Sequence, residues 1–158
     1  MKKSTKTGLS FGLTSGIITT LGLIVGLNAG TGSRLAVVGG ILTIAIADAF
    51  SDALGIHTAE ESQKENSMKQ IWESTVATFL AKFFFALTFL IPILLFDLST
   101  AIIVSVAWGL LVLGVYSFKL SKDRKMNSMR FVIKHLSIAI LVVIITYFVG
   151  KWIGLVFV

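Results

Sequence analysis

Asp48 and Asp52 stand four residues apart in an otherwise apolar stretch, so a helix there carries both carboxylates on one face, about 40° apart. Ser51, Gly55, Ala59 and Ser62 share that small, polar face. Counted back from Glu60, the two aspartates lie about 18 and 12 Å along such a helix, between one mouth of a bilayer and its middle. An ionised carboxylate at that depth costs at least about 2.5 to 3.5 kcal/mol, and it needs a partner, a proton or water. Two hard oxygen ligands suit Mn²⁺, Fe²⁺ or Ca²⁺, and a carboxylate exchanges a metal for a proton, so one reading is an ion path. Lys82 supplies a second reading. It lies about 16 Å along its own helix from Ile71, at similar depth, and could neutralise one aspartate as a purely structural pair.

Beyond the aspartates the sequence runs HTAEESQKEN. His57 and Glu61 are again four apart, and Glu60, Glu61 and Glu65 form an acidic collar that could concentrate divalent cations. A solvated helix end near Lys64 and Lys69 explains the same residues. His135 reads as an interfacial residue rather than a ligand, and Trp72 and Trp152 read as interfacial anchors.

Other chemistry is excluded by residue type. There are no cysteines, so disulfides, thiolate metal sites and cysteine nucleophiles are absent, and two histidines limit nitrogen ligation. No phosphate loop, Ser-His-Asp set or metalloprotease helix is visible, so no enzyme activity and no resident cofactor are expected. The net charge of +6 does not point to nucleic acid, because the basic residues flank apolar segments.

The elements that position these residues are membrane helices. The 158 residues are 55% hydrophobic and 14% charged, against about 25% charged in soluble domains, and the mean hydropathy is +0.91. The charge-free runs 7–33 and 98–118 each exceed the roughly 18 apolar residues that make a transmembrane candidate. Five helices are predicted, at 8–28, 35–57, 72–96, 98–118 and 131–157, forming one all-α membrane domain over 1–158. With the N-terminus in the cytoplasm, Lys2, Lys3, Lys6, Lys64, Lys69, Lys119, Lys122, Arg124, Lys125 and Arg130 fall inside, and the outside turns hold Arg34 alone. The positive-inside rule then places the N-terminus in the cytoplasm and the C-terminus outside, in a multi-pass protein of the cell (inner) membrane. Short outside turns make the first and second helices, and the third and fourth, antiparallel hairpins. Pro92 falls late in the third helix as a tolerated kink.

Gly8, Gly12 and Gly16, then Gly22 and Gly26, form small-residue tracks on the first helix. Tight packing is the plain reading; a polar path or a homodimer seam is the sharper one.

The second-helix segment ADAFSDALGIHTAEESQKE resembles the signature of the vacuolar iron transporter family, A-x-x-x-S-M-A-x-G-E-Y-x-S-x-x-S-Q-x-E, with Ser51, Ala53, Gly55, Ser62, Gln63 and Glu65 in register. SGIITTLGLIVGL is similar to the family's first-helix pattern at Gly16, Ile17, Thr19 and Gly26. Pro92 and TYFVGKWIG match further segments, and the chain resembles a divergent, short, prokaryotic-type member. The resemblance implies a homodimer, joined through the first two helices, that exports Fe²⁺ or Mn²⁺ from the cytoplasm against protons. It aligns family carboxylates with Ser15, Ile44 and Ile56, and a family methionine with Asp52. Exchanging a soft thioether for a carboxylate shifts preference toward harder ions.

The expectation is therefore a dimeric metal transporter in the lipid bilayer. Asp48 and Asp52 would be intramembrane ligands, Ser15 would line the path, and His57, Glu60, Glu61 and Glu65 would gather cations. Its rival is a non-transporting scaffold locked by Asp48, Asp52 and Lys82.

Overall fold

A computed structural model describes residues 2–124 and 126–157 of the chain. Lys125, one of the basic residues assigned to the inside, lies outside the described residues. The described residues form helices α1 (Lys3–Thr31), α2 (Arg34–Glu61), α3 (Met68–Thr88), α4 (Leu90–Leu95), α5 (Leu98–Asp123) and α6 (Ser128–Phe157). Five spans are long and apolar enough to cross a membrane, with α3 and α4 together making the third. The expected five-helix membrane architecture is thus observed, with most helices extending several residues past their predicted ends.

Local chemistry sets the breaks. Gly32 ends α1 in the left-handed region at φ 58°, where its amide donates to the Asn28 carbonyl. Ser33 then caps α2 by accepting from the Ala36 amide at 3.2 Å. Ser67 and Gln70 form a reciprocal capping box at the start of α3. The third span breaks at Phe89 because Pro92 has no amide for the preceding turn and its ring crowds that turn's carbonyl. The kink expected from Pro92 is therefore a separation into two helices.

Asp97 caps α5 by accepting from the Thr100 amide at 3.0 Å, and this hydrogen bond holds its carboxyl below the usual carboxylate range. A depressed folded-state pKa contributes stability above the unfolded value that fades as pH falls through the folded one. The unfolding temperature in detergent should accordingly drop on acidification below the ordinary carboxylate range. Asp97→Ala should remove that part of the drop; an unchanged acid profile would contradict the cap's role.

The turns alternate between two ends of the bundle. Arg34, in the first turn, donates to the Phe96 carbonyl at 2.7 Å, so the 31–34 and 96–98 turns share one end. At the other end, Lys2 pairs with Glu73 and Lys6 with Asp123, each at 2.5 Å. The first two spans pair directly, whereas α5 meets the third span mainly through α4.

Helix α1 is the hub and the most buried span, flanked by α2, α3, α5 and α6. Its glycines explain the close approach. A Cβ at Gly8 would lie 2.1 Å from the Ser74 carbonyl oxygen, one at Gly12 2.4 Å from that of Thr78, and one at Gly16 3.2 Å from the Lys82 Cα. On another face Gly26 and Gly30 meet Gly150 and Gly154, and a Cβ at Gly150 would lie 2.2 Å from the Gly26 oxygen. Both glycine tracks are filled within the chain, as the packing reading expects. The α6 span, by contrast, is the least buried, and its apolar side chains face outward.

Candidate intramembrane charge site

The α1 and α3 faces run in parallel register. Gly8, Gly12 and Gly16 of α1 oppose Ser74, Thr78 and Lys82 of α3, and the Thr78 hydroxyl donates to the Gly8 carbonyl at 3.2 Å. Four-residue spacing thus places Lys82 on the buried stripe of α3, with Ser74, Thr78 and Ala86. Its stem fits because Gly16 has no side chain. Lys82 is only 1% exposed, which makes its ammonium dependent on partners.

Those partners come from α1 and α2. The Lys82 ammonium donates to Asp52 Oδ2 at 2.5 Å and to Ser15 Oγ at 2.9 Å. Asp48 Oδ2 also lies 2.5 Å from it, but off the directions a hydrogen bond requires, and that buried oxygen has no hydrogen-bond partner. Lys82 therefore touches both aspartates, and its contact with Asp52 is the better formed. Three adjacent spans meet at this point, with two negative groups and one positive.

Asp48 also borders a groove of about 430 Å³ between α1 and α2, lined by Thr19, Leu23, Gly40, Thr43, Ile44 and Ala47. Ile44, at a position where the resemblance implies a carboxylate, gives this groove an apolar side chain instead. Thr19, Thr43 and Asp48 are the polar side chains of its lining.

The other expected residues lie apart from the cluster. His57 Nδ1 is 3.0 Å from the Thr75 hydroxyl, and its ring meets Trp72 edge-on at 4.9 Å between centroids. That pairing makes His57 part of an aromatic groove with Phe50 and Phe79. Glu60 accepts from the Asn66 amide at 2.6 Å and lines a polar cavity of about 240 Å³ with Lys3, Gln63 and Gln70. Glu61 and Glu65 are exposed. Among the described residues none of these three glutamates forms an ion pair, and no three His, Asp or Glu side chains converge on one metal position. Trp72 and Trp152 are exposed, as anchors would be. His135 packs edge-on against Phe131 at 4.4 Å, with its Nδ1 buried and unpartnered.

The dual contact of Lys82 and the Thr75 partner of His57 are beyond sequence reading at single-residue resolution. The stripe Ser74, Thr78, Lys82, Ala86 is nonetheless a visible signal that Lys82 faces a helix rather than lipid.

No curated protein and no solved structure matches the chain significantly. The model of the VIT family matches residues 56–151, from the end of α2 through α6 and more than half of the chain. Lys82 falls within the matched segment, whereas Ser15, Asp48 and Asp52 precede it. With five membrane-length helices and this match, the chain belongs to the VIT family, a family of membrane metal-ion transport.

Proposed function

We propose that the chain transports a divalent metal ion of the Mn²⁺ or Fe²⁺ kind out of the cytoplasm in exchange for protons, with Asp48 and Asp52 as its intramembrane ligands. The observation that carries this reading is the convergence of both carboxylates, deep in the second span, beside the α1–α2 groove. Ser15 adds a hydroxyl oxygen to the same point. Oxygen-only ligation favours harder ions within the divalent series, so Mn²⁺ and Ca²⁺ should compete well against Fe²⁺. The positive-inside pattern supports a cytoplasmic N-terminus, and Glu60, Glu61, Glu65 and His57 then stand at the cytoplasmic end to draw cations in.

A homodimer completes this reading. Gly39, Thr43, Ala47, Ser51, Gly55 and Ala59 recur every four residues along α2, all six exposed, and a Cβ at Gly39 or Gly55 would meet nothing within 4 Å. A second copy packed on this stripe would set the two aspartate pairs close together. Because the chain has no cysteine, Ser51→Cys gives a clean test. The expected result is a disulfide-linked dimer in native membranes, and a wholly monomeric product would count against this seam.

The test of transport is Mn²⁺, Fe²⁺ and Ca²⁺ uptake into proteoliposomes, comparing wild type with Asp52→Ala. Flux should fall to background in the variant. Equal flux in both proteins would remove Asp52 from the mechanism.

The burial of Lys82 favours one other reading, a non-transporting scaffold in which Asp48, Asp52 and Lys82 form an electrostatic lock. The two readings separate on ligand linkage, since a metal that binds only the folded protein raises its stability. Mn²⁺ should raise the unfolding temperature of wild type but not of the Asp48→Asn/Asp52→Asn variant. No shift in either would favour the lock.

A further inference from the structure

We infer that Lys82 is a tethered cation that occupies the aspartate site in the metal-free protein and competes with the transported metal for it. This rests on the reading of Asp48 and Asp52 as metal ligands. The ammonium already lies where a metal would: 2.5 Å from an oxygen of each aspartate and 2.9 Å from Ser15 Oγ. It is held there by the protein itself, since its α3 backbone packs against Gly16 and the side chain is 1% exposed.

Charge makes the competition unavoidable. Two carboxylates and one ammonium leave a single negative charge, which one positive charge would neutralise. A divalent ion added with the ammonium in place would instead leave an uncompensated positive charge in a low-dielectric interior. The ammonium must therefore leave the carboxylates when the metal enters. Lys82 has the means to do so, because its four-carbon stem is flexible and a lysine ammonium is a compact point charge without fixed bidentate geometry. Asp48 Oδ2, in contact but not hydrogen-bonded, is the side of the cluster that is less firmly held, and it is also the side that borders the groove. Entry from the groove would meet Asp48 first and the Lys82–Asp52 contact last. The consequence is a site whose affinity is kept low and whose metal is displaced by a cation that never dissociates.

The experiment is equilibrium Mn²⁺ binding to the purified full-length chain in detergent, with the metal-dependent rise in unfolding temperature as a second readout. Lys82→Met should bind Mn²⁺ at least about tenfold tighter than wild type, because the competing charge beside both carboxylates is gone. Lys82→Arg, which keeps the charge, should stay near wild type. If Lys82→Met does not fold without metal, the comparison moves to Asp48→Asn, where Lys82 and Asp52 remain, against Lys82→Met/Asp48→Asn, and the double variant should bind tighter. Binding no tighter in either comparison, with Asp52→Asn still abolishing it, would overturn the tethered cation and leave the ligand reading intact. Binding that is unchanged in Asp52→Asn would overturn the ligand reading itself.

Discussion

Lys82→Met should lower the unfolding free energy by about 3–5 kcal/mol, the range seen when one partner of a buried ion pair is removed. The loss is large because a single ammonium compensates two carboxylates, 2.5 Å from each, and its removal leaves both without a counter-charge. Removing either aspartate alone is milder, since the ammonium keeps the other. Asp52→Asn should cost more than Asp48→Asn, because Asp52 accepts a hydrogen bond and Asp48 makes a charge contact only. Replacing all three charges by Met, Asn and Asn should recover most of the loss, as buried ion pairs exchanged for neutral groups often do. Unfolding in detergent, followed by helical signal, measures the order. Equal stability of Lys82→Met and wild type would show that the carboxylates find their compensation elsewhere.

The second large effect is steric. A Cβ at Gly8 would lie 2.1 Å from the Ser74 carbonyl oxygen, and one at Gly150 would lie 2.2 Å from that of Gly26. Backbone cannot swing aside as a side-chain tip does, so each substitution must push whole helices apart. Gly8→Ala and Gly150→Ala should therefore each destabilise by about 1–3 kcal/mol, the usual cost of overpacking. Leucine at either position should prevent assembly of the native bundle. Gly114→Ala is the control: its added Cβ meets only the Leu136 methyls at 3.9 Å, an ordinary contact, and alanine is the better helix former by about 1 kcal/mol. Unfolding midpoints of the three alanine variants decide the matter. Equal midpoints would mean that the α1–α3 and α1–α6 faces are looser than the glycine contacts indicate.

These two effects also mark what was legible in the sequence. Five apolar segments, the spacing of Gly8, Gly12 and Gly16 and the single proline are local signals, and the architecture follows them. Pro92 marked the position of a disturbance but not its size, which is a full separation of α3 from α4 at Phe89. Lys82 and the two aspartates were visible as charges at matching depth. That the lysine reaches both is a matter of rotation about three helix axes: the α3 stripe turns Lys82 inward, and Gly16 opposite it lets α1 approach, but neither pattern alone says which aspartate it meets. His57 was drawn toward the acidic collar by its four-residue spacing to Glu61. Thr75 and Trp72, from the neighbouring helix, hold it instead. Spacing within a helix identifies a shared face, and the residue across that face decides what the side chain does.

Two ion pairs clamp the end of the bundle where α1 begins, about two to four helical turns before Ser15 of the charge site. Lys2–Glu73 and Lys6–Asp123 tie the start of α1 to α3 and α5, while the charge site joins α1, α2 and α3. Both ion pairs of the clamp are solvent-exposed and contribute little to stability, so they constrain α1 only weakly at low ionic strength and less in salt.

If Asp48 and Asp52 hold a transported metal, removing both carboxylates must stop its movement. Mn²⁺ flux into proteoliposomes of wild type and of Lys82→Met/Asp48→Asn/Asp52→Asn, a variant that removes both carboxylates without leaving the buried ammonium unpaired, tests it most directly. Wild type should show robust flux and the variant background flux, with both proteins folded and equally incorporated. Wild-type flux in the variant would contradict it.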